Sequence, residues 1–460
     1  MESDSDQLTT EHPQYQHKVT SFKEKIFSPW IIPVIIQLFF LTTAISGEHT
    51  MTHDSEEYLH QAYNILHHQT FYCGDLNQPV TDVTYYSRRP PGYGVFILLT
   101  SFFLTVPLFT LIAQSLLAII NLYLGYQLVK LMKPEFSDKR IFILLGCMLP
   151  SQFIMATTYM SEIPFQTTIL LSAIFLLRYE KPTGSFRHLY WHHFFIFCAY
   201  MLKPIAGFLW VISVLYVVLT QNESRSSIRL SVLSGLHVLV IALALLRNYS
   251  LTGIAEGSSI PHKVVVNYNL RMLLTALHGP ARSAVLIDSL QNEMRDKPYP
   301  IQAAISEQYL RQQLTEHLPV YLKIHVTGMF RFFIDPGRWE LEVWKNGWEK
   351  SENPPSLSEA FQKGGIQELL HTGGKSIVTF TLFSLAGAVL TLFLLLAWLL
   401  QKKVPLGNKL LIAGLLLYFS FLTGPSSSAR LRLPVFPILI AGAAMGWSSI
   451  SRKSIETTQT

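Results

Sequence analysis

Long, nearly unbroken apolar runs separated by short polar stretches dominate this chain. They reach membrane-spanning length and lack the narrow apolar stripe of a soluble amphipathic helix. Their spacing predicts ten spans, at about 26–46, 107–131, 140–159, 163–179, 189–202, 205–220, 228–246, 376–400, 409–424 and 433–449. Lys203-Pro204 separates the fifth from the sixth, and both of these are short. Two further helices are expected outside the spans, over 55–69 behind an Asp-Ser-Glu-Glu start and over 92–105 behind a Pro-Pro lead.

Lysine and arginine in the short loops orient the bundle. Lys130, Lys133, Lys139 and Arg140 follow span two, Arg178, Lys181 and Arg187 span four, and Arg225 and Arg229 span six. Lys402, Lys403 and Lys409 lie between spans eight and nine, and Arg452 and Lys453 follow the last. Ten spans with both termini cytoplasmic place all these clusters on one side. The apolar segment His317 to Ile334 carries Lys323, His325 and Arg331, which are costly at mid-bilayer, so it reads as an interfacial helix with snorkelling basic ends. The division that follows is a polar, disordered tail over 1–25, a membrane domain over 26–449 with external loops at 47–92 and 247–375, and a cytoplasmic tail over 450–460.

Composition agrees: 49% hydrophobic residues and only 14% charged, where soluble chains carry nearer a quarter charged. The net charge of +6 is accounted for by cytoplasmic-face anchoring, so no nucleic-acid partner is expected. Neither a Gly-rich dinucleotide fingerprint nor a phosphate loop occurs. Of three cysteines only Cys73 lies outside the spans, so no disulfide between external cysteines is possible.

The unusual charges collect on the other face. The first external loop holds Glu48, Asp54, Glu56, Glu57, Asp75 and Asp82 against Arg88 and Arg89. Ser161-Glu162, Lys203-Pro204, Arg247-Asn248-Tyr249 and Arg430-Leu431-Arg432 all fall at external span ends. Basic residues are depleted there in ordinary membrane proteins, so a collar of Arg89, Lys203, Arg247, Arg430 and Arg432 calls for an anionic partner, and a phosphate at headgroup depth suits it. Each element also has a plainer reading. Asp54 is a good helix N-cap, Glu162 is an ordinary turn residue, and the arginines are headgroup anchors. Tyr58 and Tyr93 fit an interfacial aromatic belt. His49, His53 and Asp54 have metal-like spacing without an obvious further ligand. Convergence on one face is what these separate readings leave unexplained.

Asp54-x-x-x-Tyr58 followed by Arg89-Pro90-Pro91-Gly92-Tyr93 resembles the GT-C glycosyltransferases, closest to glycosyltransferase family 39 with its protein O-mannosyltransferases and lipid A aminoarabinose transferases. Thr158 to Phe165, Leu202-Lys203-Pro204, Leu246 to Gly253 and Arg430 to Pro437 resemble further family segments in family order. The resemblance implies an all-α polytopic GT-C-like bundle in the plasma (inner) membrane, with external juxtamembrane helices. It implies an enzyme that moves a sugar from a polyprenyl-phosphate donor to a hydroxyl of a lipid, glycan or protein on the external face. Asp54 matches the family's base, and Glu162 its second carboxylate. Arg89, Lys203 and Arg247, with Arg430 and Arg432, match the donor-phosphate side, and Glu57, Tyr58 and Tyr93 the acceptor or sugar side. Where relatives carry a metal-associated acidic residue before the Lys-Pro pair, this chain has Arg88, so no metal is predicted. The rival reading is a transporter or lipid-carrier flippase, which calls for ionisable residues or broken helices near mid-bilayer. The spans offer mainly Gln37, Gln114, Asn121 and Gln166, with His193 the exception.

Overall fold

The computed structural model describes residues 28–180, 185–220, 224–349, 365, 367–368, 370–371 and 374–458. The 1–25 tail, Lys181 and most of 350–373 lie outside the described residues. All regular elements among the described residues are helical. Among the described residues five helices are long and apolar enough to cross a membrane: Leu108–Met132, Val232–Thr252, Lys375–Leu399, Leu406–Ser426 and Ala429–Ser451. Ile31–Ser46 and Pro204–Thr220 are shorter apolar helices. The last helix continues to Thr458, through most of the expected 450–460 tail.

Two apolar runs differ from the sequence reading, and both differences bear on the site. The run at 140–159 is not one helix. Lys139–Cys147 and Ser151–Met155 are separated at Pro150, and the chain then turns through Ala156–Ser161 before Glu162–Glu180 begins. The helix expected over 92–105 ends at Thr100, because Phe102, Phe103 and Leu104 all adopt positive φ. Such a turn cannot propagate a right-handed helix. The helix over His53–His68 forms as expected. The expected interfacial segment His317 to Ile334 is the second half of one Tyr299–Ile334 helix, bent at His317, two residues before Pro319.

The interruption at 147–161 leaves backbone carbonyls without helical partners inside an apolar bundle, where unpaired groups are costly. The amide side chains of neighbouring helices take them up. Gln37 reaches Phe153 O at 3.3 Å and Ser115 Oγ at 3.0 Å, while Gln114 reaches Thr158 O at 2.7 Å. Asn121 donates to Ile163 O and to Gln166, which bonds in turn to Gln152 and to Leu433 O. These neutral polar residues therefore brace the turn that presents Glu162.

Close backbone contacts complete the frame. A Cβ on Gly92 would stand 2.4 Å from Met201 O, so only glycine lets the Gly92–Thr100 helix start against the end of Phe186–Leu202. One on Gly446 would stand 2.0 Å from Leu394 O, the small-residue contact that membrane helices use to approach. The first of these packs the helix that follows Arg89 against the residues that precede Lys203.

Candidate active site

Asp54 opens the His53–His68 helix, but it does not cap it. Thr52 is the N-cap and Ser55 completes the capping box, with Thr52 N donating to Ser55 Oγ at 2.8 Å. This corrects the capping reading and leaves the Asp54 carboxylate available for ion pairs. Arg89 Nη2 donates to its Oδ1 at 2.7 Å and Arg430 Nη2 to its Oδ2 at 2.5 Å.

The pairs extend on both sides. Arg89 Nε donates to Glu57 Oε2 at 2.6 Å, and Arg88 Nη1 to Glu57 Oε1 at 3.0 Å. Arg88 also reaches Asp82 at 2.8 Å and lies over the Tyr85 ring. On the far side, Arg430 Nε donates to Glu162 Oε1 at 2.7 Å and Lys203 Nζ to the same oxygen at 3.0 Å. Lys203 follows the last helical residue of Phe186–Leu202 in an extended conformation, as a residue before proline should. The order is Asp82–Arg88–Glu57–Arg89–Asp54–Arg430–Glu162–Lys203, four acids alternating with four bases.

Burial alone would raise the Asp54 pKa, but the guanidiniums of Arg430 and Arg89, with Lys203, overcome it and hold the carboxyl far below the usual range. Glu162 is fully buried, which also opposes its charge, yet Lys203 and Arg430 lower it to about 2. Both are therefore ionised at neutral pH. Glu162 Oε2 is buried and has no hydrogen-bond partner among the described residues. Buried polar atoms are almost always paired, so this oxygen stands out.

Not every predicted site residue joins the chain of charges. Arg247 sits at its edge: Nη1 donates to Tyr86 O at 2.9 Å and to Asn248 Oδ1 at 2.8 Å, with the Phe71 ring beneath. Arg432 stands apart. It is 1% exposed and donates to the carbonyls of Phe332, Phe333 and Asp335, sealing the end of the Tyr299–Ile334 helix. Tyr58 and Tyr93 are not rim residues. Tyr58 Oη bonds Ser161 Oγ at 2.9 Å, Tyr93 Oη bonds Gln114, and the two rings meet edge to face. His49 Nδ1 lies 2.8 Å from Trp344 O, and His53 packs on Trp348. Among the described residues no group of three His, Cys, Asp or Glu side chains is arranged to hold a metal ion.

Sequence reasoning overlooked Gln61 and Glu256. Gln61 donates to Arg89 O at 2.8 Å, and Glu256 accepts from Ser87 Oγ at 2.8 Å. Gln61 lies seven residues after Asp54, on the same helix face, which is the signal that could have found it.

No family model matches the chain, and no curated protein matches it. Among solved structures the chain is similar to the crystal structure of ArnT from Cupriavidus metallidurans bound to undecaprenyl phosphate, at a TM-score of 0.39 and 10% sequence identity. The likeness covers 93% of this chain and 60% of that one, so this chain spans about three-fifths of its length.

Proposed function

We propose that this protein transfers a sugar from a polyprenyl-phosphate donor to an acceptor hydroxyl at the external membrane face. The observation that carries the reading is the convergence of Asp54, Arg89, Glu162, Lys203 and Arg430 from separate helix ends into one alternating chain of charge. The end of Ile31–Ser46 leads into it, as do the start of Glu162–Glu180, the end of Phe186–Leu202 and the start of the last helix. That parity supports the ten-span arrangement with cytoplasmic termini. The order of sequence motifs supports the same chemistry.

In the reaction, the acceptor oxygen bonds to the sugar's anomeric carbon as the bond from that carbon to the phosphate oxygen breaks. The phosphate leaves with the electron pair, and basic side chains fixed nearby stabilise it where charge develops. The acceptor's proton passes to a carboxylate, with Asp54 as the base. Arg89 and Arg430 hold the two Asp54 oxygens. A phosphate drawing Arg89 or Arg430 away would release one oxygen and make it more basic, so donor binding prepares the base. Glu162 Oε2, with no partner of its own, would accept from a hydroxyl of the sugar or acceptor. Arg432, sealed on helix carbonyls, takes no part in donor binding.

A transport reading has one observation in its favour. His237 Nε2 lies 2.9 Å from His193 Nδ1, beside a buried His192 held by Ser172 and Ser213, all inside apolar helices.

Mass spectrometry of envelope lipids, glycans and proteins separates the two. Cells lacking the gene would be complemented with the natural chain or with Asp54→Asn at equal membrane abundance. A sugar-sized mass restored only by the natural chain establishes transfer and identifies the acceptor. Equal restoration by both removes Asp54 as the base and moves transport ahead.

A further inference from the structure

The double arginine lies on a short stretch, Thr84–Arg89, that belongs to no long helix. A mobile stretch there would leave Arg89 poorly placed, because binding and catalysis both depend on groups held in advance. Its carbonyls are held from three directions. Cys73 N donates to Tyr85 O at 3.1 Å, and Gln61 holds Arg89 O. The large loop supplies the rest at alternate positions. Ser259 Oγ donates to Thr84 O at 3.0 Å, Arg247 Nη1 to Tyr86 O at 2.9 Å, and Ser258 Oγ to Arg88 O at 2.8 Å.

Glu256 organises that grip. It is 8% exposed, and its carboxylate accepts from Ser87 Oγ at 2.8 Å and from Tyr299 Oη at 2.8 and 2.9 Å. His262 Nε2 lies 3.1 Å from Oε2, and the His262 ring meets Tyr299 edge to face. The Glu256 backbone carbonyl accepts from Asn248 Nδ2 at 2.7 Å, next to Arg247. The buried carboxylate thus ties the first external loop to the Tyr299–Ile334 helix, and the backbone of the same residue holds the Arg247 segment. It touches none of Asp54, Glu162 or Lys203, and it makes no contact with the Arg89 side chain. Structural bracing alone would need only some buried contact here. The register of donors on Thr84, Tyr86 and Arg88 instead fixes the direction in which Arg89 leaves the backbone.

We propose that Glu256 is a positioning residue for Arg89, holding the Thr84–Arg89 stretch so that the guanidinium faces the incoming phosphate. The inference rests on the donor reading above. Its test is binding of a polyprenyl phosphate to the full chain in lipid nanodiscs, with Glu256→Ala, Glu256→Gln, Arg89→Ala and the Glu256→Ala/Arg89→Ala double variant. Glu256→Ala weakens binding about tenfold, and Glu256→Gln, which keeps an acceptor for Ser87 and Tyr299, stays within about threefold of the natural chain. Because Glu256 acts through Arg89, the double variant binds no more weakly than Arg89→Ala alone. Full-strength binding by a folded Glu256→Ala protein, or losses that multiply in the double variant, overturns the proposal. If Glu256→Ala does not fold, Ser258→Ala with Ser259→Ala loosens the same grip and is judged by the same criteria. Should the natural chain bind no polyprenyl phosphate, the donor reading fails by itself. Amide hydrogen exchange over Thr84–Arg89 then decides the positioning: faster in Glu256→Ala upholds it, and unchanged rejects it.

Discussion

Arg430 Nη2 donates to Asp54 Oδ2 at 2.5 Å, an ion pair between residues 376 positions apart in the chain. The Nε of the same guanidinium holds Glu162 Oε1 at 2.7 Å. A single planar group therefore sets the separation of the two carboxylates proposed to handle proton and sugar. Lysine carries the charge but not the fork, so it cannot hold both. Arg430→Ala should cost on the order of 3 kcal/mol of stability, since it leaves half-buried and buried carboxylates short of a partner. Arg430→Lys should recover much of that stability and little of the turnover. Denaturant unfolding in micelles beside a transfer assay would check both, and a lysine variant with full activity would show that the fork is dispensable.

The two low carboxyls make a pH prediction. Asp54 and Glu162 are both depressed in the folded chain, Glu162 from 4.5 to about 2. A depressed carboxyl contributes stability that is present above its unfolded pKa and lost as pH falls through the folded one. The unfolding midpoint should therefore be flat between about pH 6 and 8 with respect to these groups and should fall below about pH 4. A chain carrying Asp54→Asn with Glu162→Gln should start lower and lose less on acidification. A steep acid loss that survives in that double variant would assign the effect to other groups.

The members of this site legible in the sequence were those whose charge is out of place. Arg89, Lys203, Glu162 and Arg430 sit where apolar spans end, and a charge there stands out against its surroundings. Glu256 and Tyr299 lie in a long polar loop where charges are ordinary, so nothing in their neighbours distinguishes them. Hydropathy also could not see that 140–159 is broken, because Leu149, Pro150 and Phe153 keep the run apolar while the backbone turns. Arg432 was drawn in by its nearness to Arg430. Two residues along a helix the side chains point to different sides, and Arg432 is taken into the packed interior.

Glu340 is a buried carboxyl outside the charge chain, and its Oε1 has no hydrogen-bond partner among the described residues. Burial, and after it the Asp335 carboxylate, push it up to about 7. A raised carboxyl gives its full contribution below the unfolded pKa, and that contribution is lost as pH rises through the folded value. Glu340→Gln, which stays neutral, should match the natural chain near pH 4 and exceed it at pH 8 by on the order of 3 kcal/mol. Melting curves at the two pH values test this. A stabilisation equal at both would mean that packing, not ionisation, is responsible.

Arg432 separates anchoring from donor binding. Its guanidinium donates at 2.7 to 3.1 Å to three carbonyls at the end of the Tyr299–Ile334 helix. Hydrogen bonds from a charged donor contribute about 1.5–3 kcal/mol each before desolvation is counted, and their loss would leave these carbonyls orphaned. Arg432→Met fills the space without the donors and should lower stability by about 3 kcal/mol. The polyprenyl-phosphate affinity of the protein that still folds should not change, whereas folded Arg89→Ala should lose affinity. Titrations of both variants in one nanodisc preparation make the comparison direct. An Arg432→Met protein that is stable but binds weakly would return this arginine to the phosphate site, and the helix-end contacts would then have to open when the donor arrives.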